Sequence, residues 1–143
     1  MLTTNDYPTD DEFLKLIAYF HLPQIRDQLM ADIPGIDEPP EHILVAQTSA
    51  APYWSRIEWA KDLLLHTYIR TSPEHAAPIL TTIGYINWWE GRGSKAHQYL
   101  QRALDTDPGY RFPCLTDHML GAGIIASWNT NKTSAHRNNL DMP

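Results

Sequence analysis

Apolar side chains recur at three- and four-residue intervals along most of the chain, and prolines cut that pattern into segments. Phe13, Leu14, Ile17 and Phe20 predict a helix ending near Phe20, with Asp10 or Asp11 placed to cap it. Pro23 suits the first turn of a second helix through about Ala31, with Leu22, Ile25, Leu29 and Ile33 on its apolar side. Pro34, Gly35, Pro39, Pro40 and Pro52 then mark a loop-rich stretch. Within it, Glu41 to Gln47 reads as a short helix or an extended segment, and its helical surroundings favour the helix. Tyr53 to Arg70 is the third long helix. Its stripe of Tyr53, Ile57, Ala60, Leu64 and Tyr68, widened by Trp54, Leu65 and Ile69, calls for more than one neighbour. After Pro73, a helix is expected from Glu74 or Ala76 to Glu90. A Gly91-Arg92-Gly93 turn follows, and then a Ser94-capped helix from Lys95 to about Asp105. Asp107-Pro108-Gly109 is a stop signal, and a last helix is expected over 111–121. No segment alternates as strands do. The expected fold is all-α, antiparallel helical hairpins stacked in one small domain over 11–125, between a flexible polar leader (1–10) and a disordered polar tail (126–143).

Composition changes this picture little. The 143 residues are 43% apolar, with five Trp and seven Tyr, which suits one domain with a substantial core. No apolar run approaches the roughly 18–20 residues of a membrane span, and the polar, acidic opening MLTTNDYPTDDE does not read as a secretion signal. The single cysteine, Cys114, leaves no intramolecular disulfide and no cysteine zinc cluster, so a cytoplasmic protein is expected. Charge is more informative. Residues 1–75 carry 12 Asp and Glu against 5 Lys and Arg, whereas residues 76–143 carry 5 against 6, within a net charge of −6. Arg92, Lys95, Arg102 and Arg111 are too scattered for a phosphate-binding stripe, so nucleic acid is not an expected partner.

Residues 77–110 fit the spacing of a helix–turn–helix repeat of about 34 residues. Gly84 and Ala96 are small where two antiparallel helices would cross, Gly91 allows the turn, Ala103 and Leu104 pack onward, and Pro108 ends the pair before Tyr110. This resembles a tetratricopeptide repeat, with Asn87 and Leu100 where that family more often has aromatic residues. Arg56 and Lys61 stand 35 residues before Gly91 and Ala96, so a preceding pair would be degenerate. A lone repeat cannot bury its own faces, which makes the N-terminal helices its neighbours.

A longer resemblance runs from about Phe13 to Ile125. Ala76-Ala77-Pro78, Trp88 with Gly91 and Gly93, Ala103-Leu104, Asp107-Pro108-Gly109-Tyr110-Arg111, and Leu120 with Ala122-Gly123 look like the C-terminal part of an uncharacterised family of actinobacterial proteins. Ile25-Arg26-Asp27 is similar to an upstream Val-Arg-Asp motif of that family, while Ser94 replaces its usual Ala. The resemblance implies a fold, and it implies that the family's longer N-terminal region is missing here. It carries no activity and no catalytic residues.

Chemistry-bearing constellations are sparse. The seven histidines include no His-Glu-x-x-His pair; Cys114 and His118, with Asp117 beside them, would need two further ligands to hold zinc. Gly91-Arg92-Gly93-Ser94 lacks the Lys-Ser/Thr of a phosphate loop. Glu58 and Asp62 read as a solvated acidic pair. No catalytic residue, cofactor or metal is assigned. Trp88 and Trp89 point about 100° apart on a helix, so one of them is expected to be partly exposed and to anchor a partner. Asn87, Arg92, Arg102 and Arg111 join it as interaction candidates. Trp54 and Trp59, about 140° apart, offer a seam for a homodimer. The expected function is a non-enzymatic protein–protein interaction module, and the acidic first half favours a basic partner. The alternatives are a regulator or inhibitor from a mobile element that binds a host protein, and a small-molecule-binding protein or enzyme with a pocket between helices, using His66, Glu58 or Cys114 and His118.

Overall fold

The computed structural model describes residues 8–44, 48 and 51–109. They form six α-helices and one 3-10 turn, and among the described residues there is no strand. The protein is all-α. In order these are α1 (Asp10–Phe20), α2 (Pro23–Asp32), α3 (Pro40–Leu44), α4 (Trp54–Ile69), the 3-10 turn Pro73–His75, α5 (Ala77–Trp89) and α6 (Gly93–Thr106). None of these helices is long and apolar enough to cross a membrane. The expected leader up to Tyr7, the last helix over 111–121 and the polar tail lie outside the described residues, as do 45–47 of the ambiguous segment, whose first part is α3.

Local chemistry sets the helix ends, in two places differently from expectation. The cap of α1 is Thr9, one residue before Asp10. Its hydroxyl accepts from the Glu12 N–H at 3.3 Å while Glu12 Oε1 accepts from the Thr9 N–H at 3.1 Å. This reciprocal pair satisfies two otherwise open donors, which a lone Asp cap could not do. Ser94 does not cap α6. Helix α6 already begins at Gly93, and Arg92 occupies the cap position without a side-chain hydrogen bond. The reason is the C-terminal closure of α5: Gly91 sits at φ 79°, its N–H donates to Trp88 O at 2.9 Å, and the Arg92 N–H donates to Asn87 O at 2.8 Å. That closure turns the chain within two residues, leaving no room for a separate capping residue.

Helix α5 is the axis of the core, and every residue from Ala77 to Trp89 is buried. Helix α6 returns antiparallel along it. Gly84 makes the crossing possible: a Cβ there would lie 3.0 Å from both Leu100 Cγ and Cδ2 and 3.3 Å from Ala96 O. At the other end, Ala76, Ala77 and Leu80 meet Ala103, covered by Tyr68 and Tyr99. Two threonines inside α5 are satisfied by their own helix, Thr81 donating to Ala77 O at 2.8 Å and Thr82 to Pro78 O at 2.9 Å. Helix α4 lies on another side, burying Trp54, Ile57, Ala60 and Leu64. Lys61 Nζ reaches from α4 to the Glu90 carboxylate at 3.0 and 3.1 Å, and Glu90 is 0% exposed at its side chain. Helix α1 docks through Phe13 and Phe20, with the Arg70 guanidinium 4.2 Å from the Phe13 ring centre.

Four residues assigned to buried stripes are exposed: Leu14, Leu22, Tyr53 and Ile69. Leu14 lies a quarter-turn from Phe13, beyond the narrow side by which α1 docks. Leu22, Tyr53 and Ile69 sit at or just beyond helix ends, past the reach of the neighbouring helix. In place of Leu22, Arg26 is buried on α2, with Nη2 2.8 Å from Asp27 Oδ1.

Candidate functional site

The chain from Asp32 to Pro39 must leave α2, reach α3 and stay close to the start of α4. Gly35 provides the reversal, at φ 72°, a conformation L side chains rarely adopt. A Cβ at Gly35 would also lie 3.0 Å from Tyr53 Cδ2 and 3.1 Å from Arg56 Cδ. Two bonds fasten this loop to α4. The Tyr53 N–H donates to Pro34 O at 3.0 Å. Arg56 spans from Nη2 to Asp32 Oδ2 at 3.1 Å and from Nε to Asp32 O at 3.3 Å.

These constraints leave an open cleft of about 510 Å³, lined by Gln28, Ala31, Asp32, Gly35, Ile36, Asp37, Glu38, Ile43, Tyr53 and Arg56. Of its apolar lining residues, Ala31 and Ile43 are buried. Asp37 is exposed and Glu38 half-buried. Tyr53 is 68% exposed, so its ring presents apolar surface and a hydroxyl to an incoming group.

The interaction residues expected from sequence are not brought together. Trp88 and Trp89 are 2% and 0% exposed. The expectation of one partly exposed tryptophan is therefore corrected: α5 has neighbours all round, so both faces 100° apart are interior ones. Tyr85 meets both indole rings edge-on, at 5.5 and 5.6 Å between centroids. Asn87 is likewise interior, with Nδ2 donating to Ile83 O at 2.9 Å, so it cannot touch a partner. Trp54 is buried and Trp59 half-buried against the same core, with the Arg56 guanidinium 5.9 Å from the Trp59 ring centre. Together they make no open seam. Arg92, at the cap position before α6, and Arg102, on α6, are exposed, and the Arg102 guanidinium lies 5.8 Å from the ring centres of Tyr68 and Tyr99. Arg111 lies outside the described residues, as do Cys114 and His118.

His66 and Glu58, named for a pocket between helices, do not line the cleft. Glu58 pairs with Lys61 at 3.2 Å, and His66 Nε2 lies 3.6 Å from Asp62 Oδ1. Among the described residues no group of three His, Cys, Asp or Glu side chains could hold a metal ion. Sequence reasoning missed the cleft, although Pro34-Gly35, Asp37-Glu38 and Pro39-Pro40, followed by Tyr53 directly after Pro52, are the residues from which such a loop is built.

A family model described as "Domain of unknown function (DUF4192)" matches residues 2–126. No curated protein and no solved structure matches the chain.

Proposed function

The chain belongs to the DUF4192 family, and from that premise we propose that it is a non-enzymatic helical interaction module that engages a protein partner through the cleft at the start of α4. The observation that carries this reading is Tyr53. A tyrosine lining the cleft is 68% exposed, while its backbone is tied to Pro34 and its ring lies against Gly35. Rigid, exposed aromatic side chains contribute large contact area on binding at small entropic cost, and interface hot spots are enriched in them. We also read α5 and α6 as a tetratricopeptide-like hairpin, supported by the close approach at Gly84 and the closure at Gly91. In such a stack the hairpin is the frame, and the cleft between the loop after α2 and the start of α4 is the working surface.

The test is affinity capture from the cell of origin with the wild-type chain and with Tyr53→Ala, quantified by mass spectrometry. At least one protein should be recovered with the wild-type chain and fall by about tenfold with Tyr53→Ala, as expected for loss of one hot-spot aromatic. Identical recovery profiles for the two chains would overturn the reading.

A further inference from the structure

Independently of the cleft, we propose that one side of α6 docks an acidic segment of a separate protein. Arg92, Lys95, Tyr99 and Arg102 follow one another at intervals of three, four and three residues. That spacing lines them up on a single stripe of the helix, about 15 Å long at about 1.5 Å per residue. The three cations are exposed and Tyr99 is half-buried. Elsewhere Arg26, Arg56 and Lys61 each hold a carboxylate. Among the described residues no carboxylate pairs with Arg92, Lys95 or Arg102, not even Asp105, three residues beyond Arg102.

This arrangement works against α6 itself. Arg92 and Lys95 stand at its N-terminus, where the helix dipole disfavours cations, and its first turn holds no acidic residue. Helix α1 shows the opposite pattern, with Asp10, Asp11 and Glu12 in its first turn. No side chain caps α6 either, and like charges three residues apart add repulsion. Carboxylates brought by a partner relieve these conflicts together, because they pair with the cations and complement the positive end of the helix.

Charge and packing also select the occupant. The Arg102 guanidinium lies 5.8 Å from the ring centres of Tyr68 and Tyr99. Both rings pack against the core, which leaves little open face for a stacked base. Three cations on a chain of net charge −6 suit a short run of carboxylates better than a nucleic acid, which the chain as a whole repels. A second copy carries the same net charge and is repelled likewise.

The probe is a short fluorescein-labelled, alanine-based helical peptide with four glutamates at the same three- and four-residue spacing. Its glutamine counterpart and an oligothymidylate are compared with it, by anisotropy with the full chain. The Glu peptide should bind at least about tenfold more tightly than the Gln peptide at low salt, and raising ionic strength to about 0.3 M should remove most of that difference. Arg92→Gln, Lys95→Gln and Arg102→Gln should each weaken the Glu peptide by about three- to fivefold. Lys15→Gln removes the same charge from α1 and should change affinity by less than about twofold. Tyr53→Ala, in the cleft, should leave affinity unchanged. Arg92→Gln and Lys95→Gln should melt no lower than the parent, because each removes a cation from the positive end of α6. Equal affinity for the Glu and Gln peptides, or equal weakening by Lys15→Gln and the α6 variants, would overturn the proposal. So would lower melting temperatures for Arg92→Gln and Lys95→Gln, which would show that these cations serve α6 itself. Tighter binding of the oligothymidylate through the same side chains would assign the stripe to nucleic acid and overturn it too, as would self-association in light scattering that the α6 variants abolish. Loss of Glu-peptide affinity with Tyr53→Ala would place the peptide in the cleft, with the same consequence. Cellular capture that does not depend on Tyr53 overturns the cleft reading and not this one.

Discussion

The α5–α6 hairpin and the cleft at the start of α4 both depend on a glycine held against a neighbouring side chain, yet they do opposite things with it. At Gly84 the missing Cβ lets two helices close up until Leu100 and the Ala96 carbonyl fill the space. The product is solid, with Leu100, Ala96 and Ala103 all fully buried. At Gly35 the missing Cβ lets a loop fold back onto Tyr53 and Arg56, and the product is a concavity with an exposed aromatic at its mouth. The first glycine is needed for space on a regular helix. The second is needed for both space and a left-handed backbone. A close approach between regular elements makes core, whereas one between a loop and a helix end makes surface with shape.

The largest separation between the two regions is expected from Gly84→Leu. Its branched side chain has to occupy the position already held by Leu100, and overpacking of that kind costs about 3 kcal/mol or more. Urea unfolding should show a collapsed or absent transition. Gly84→Ala sharpens the point. It gains about 1 kcal/mol in helix propensity but needs Leu100 to shift by a few tenths of an ångström, so its midpoint should stay near that of the parent. A Gly84→Leu chain that melts like the parent would show that α6 does not cross α5 there.

Next in size is Glu90→Gln. The Glu90 carboxylate is wholly inside and holds Lys61 at 3.0 Å, joining α4 to the closing turn of α5. Neutralising one partner leaves the other charge in a poorly hydrated place, at a cost of about 3 kcal/mol for fully buried pairs. Lys61 retains Glu58 at 3.2 Å and some solvent, so the loss should fall below that figure. Denaturant titration measures it, and an unchanged midpoint would mean that the pair contributes nothing net.

How much of this the sequence disclosed follows the same division. The helices of the hairpin and the small residue at their crossing were legible because periodicity and glycine spacing are local properties of 77–106. The fate of Trp88 and Trp89 was not. Whether the second face of a helix is covered depends on how many neighbours surround α5, and no 3.6-residue pattern counts neighbours. The capping of α6 failed for a related reason: the closure of the preceding helix overrode the preference of Ser94. The cleft was hidden because its parts are far apart in sequence, Asp32 to Glu38 on one side and Tyr53 to Arg56 on the other. The bonds that join them, Tyr53 N–H to Pro34 O and Arg56 to Asp32, are long-range in sequence. Ile69 was misplaced by a stripe that continues to the helix end although the packing does not, and Leu14 by a stripe wider than the side by which α1 docks.

Gly35→Ala tests the other half of the comparison, with a smaller expected effect. A residue forced to φ 72°, with its Cβ 3.0 Å from the Tyr53 ring, should cost about 1–2 kcal/mol. The damage should be local. Hydrogen exchange should accelerate around 33–39 and the first turn of α4, while the amides of α5 and α6 keep their protection. Equal acceleration in the hairpin would show that the cleft and the core unfold as one unit.

The smallest effect is at the N-terminal cap of α1. Glu12 accepts from the Thr9 N–H and is further held by the Thr9 hydroxyl, and these bonds lower its carboxyl pKa below the usual glutamate value. A lowered folded-state value means that the unfolded chain binds the proton more readily. The cap therefore contributes fully above the ordinary glutamate pKa and loses its contribution as pH falls through the lowered folded value. Thr9→Val removes the hydroxyl and should shrink that acid-side dependence, while leaving the response of the hairpin to Gly84→Ala unchanged, because distant sites add independently. Fluorescence-monitored melts of both variants, alone and combined, across the acid range distinguish the cases. If the two substitutions failed to add, α1 would be coupled to the core through more than the docking of Phe13 and Phe20, and the division between a rigid hairpin and a separable surface would give way to a single cooperative body.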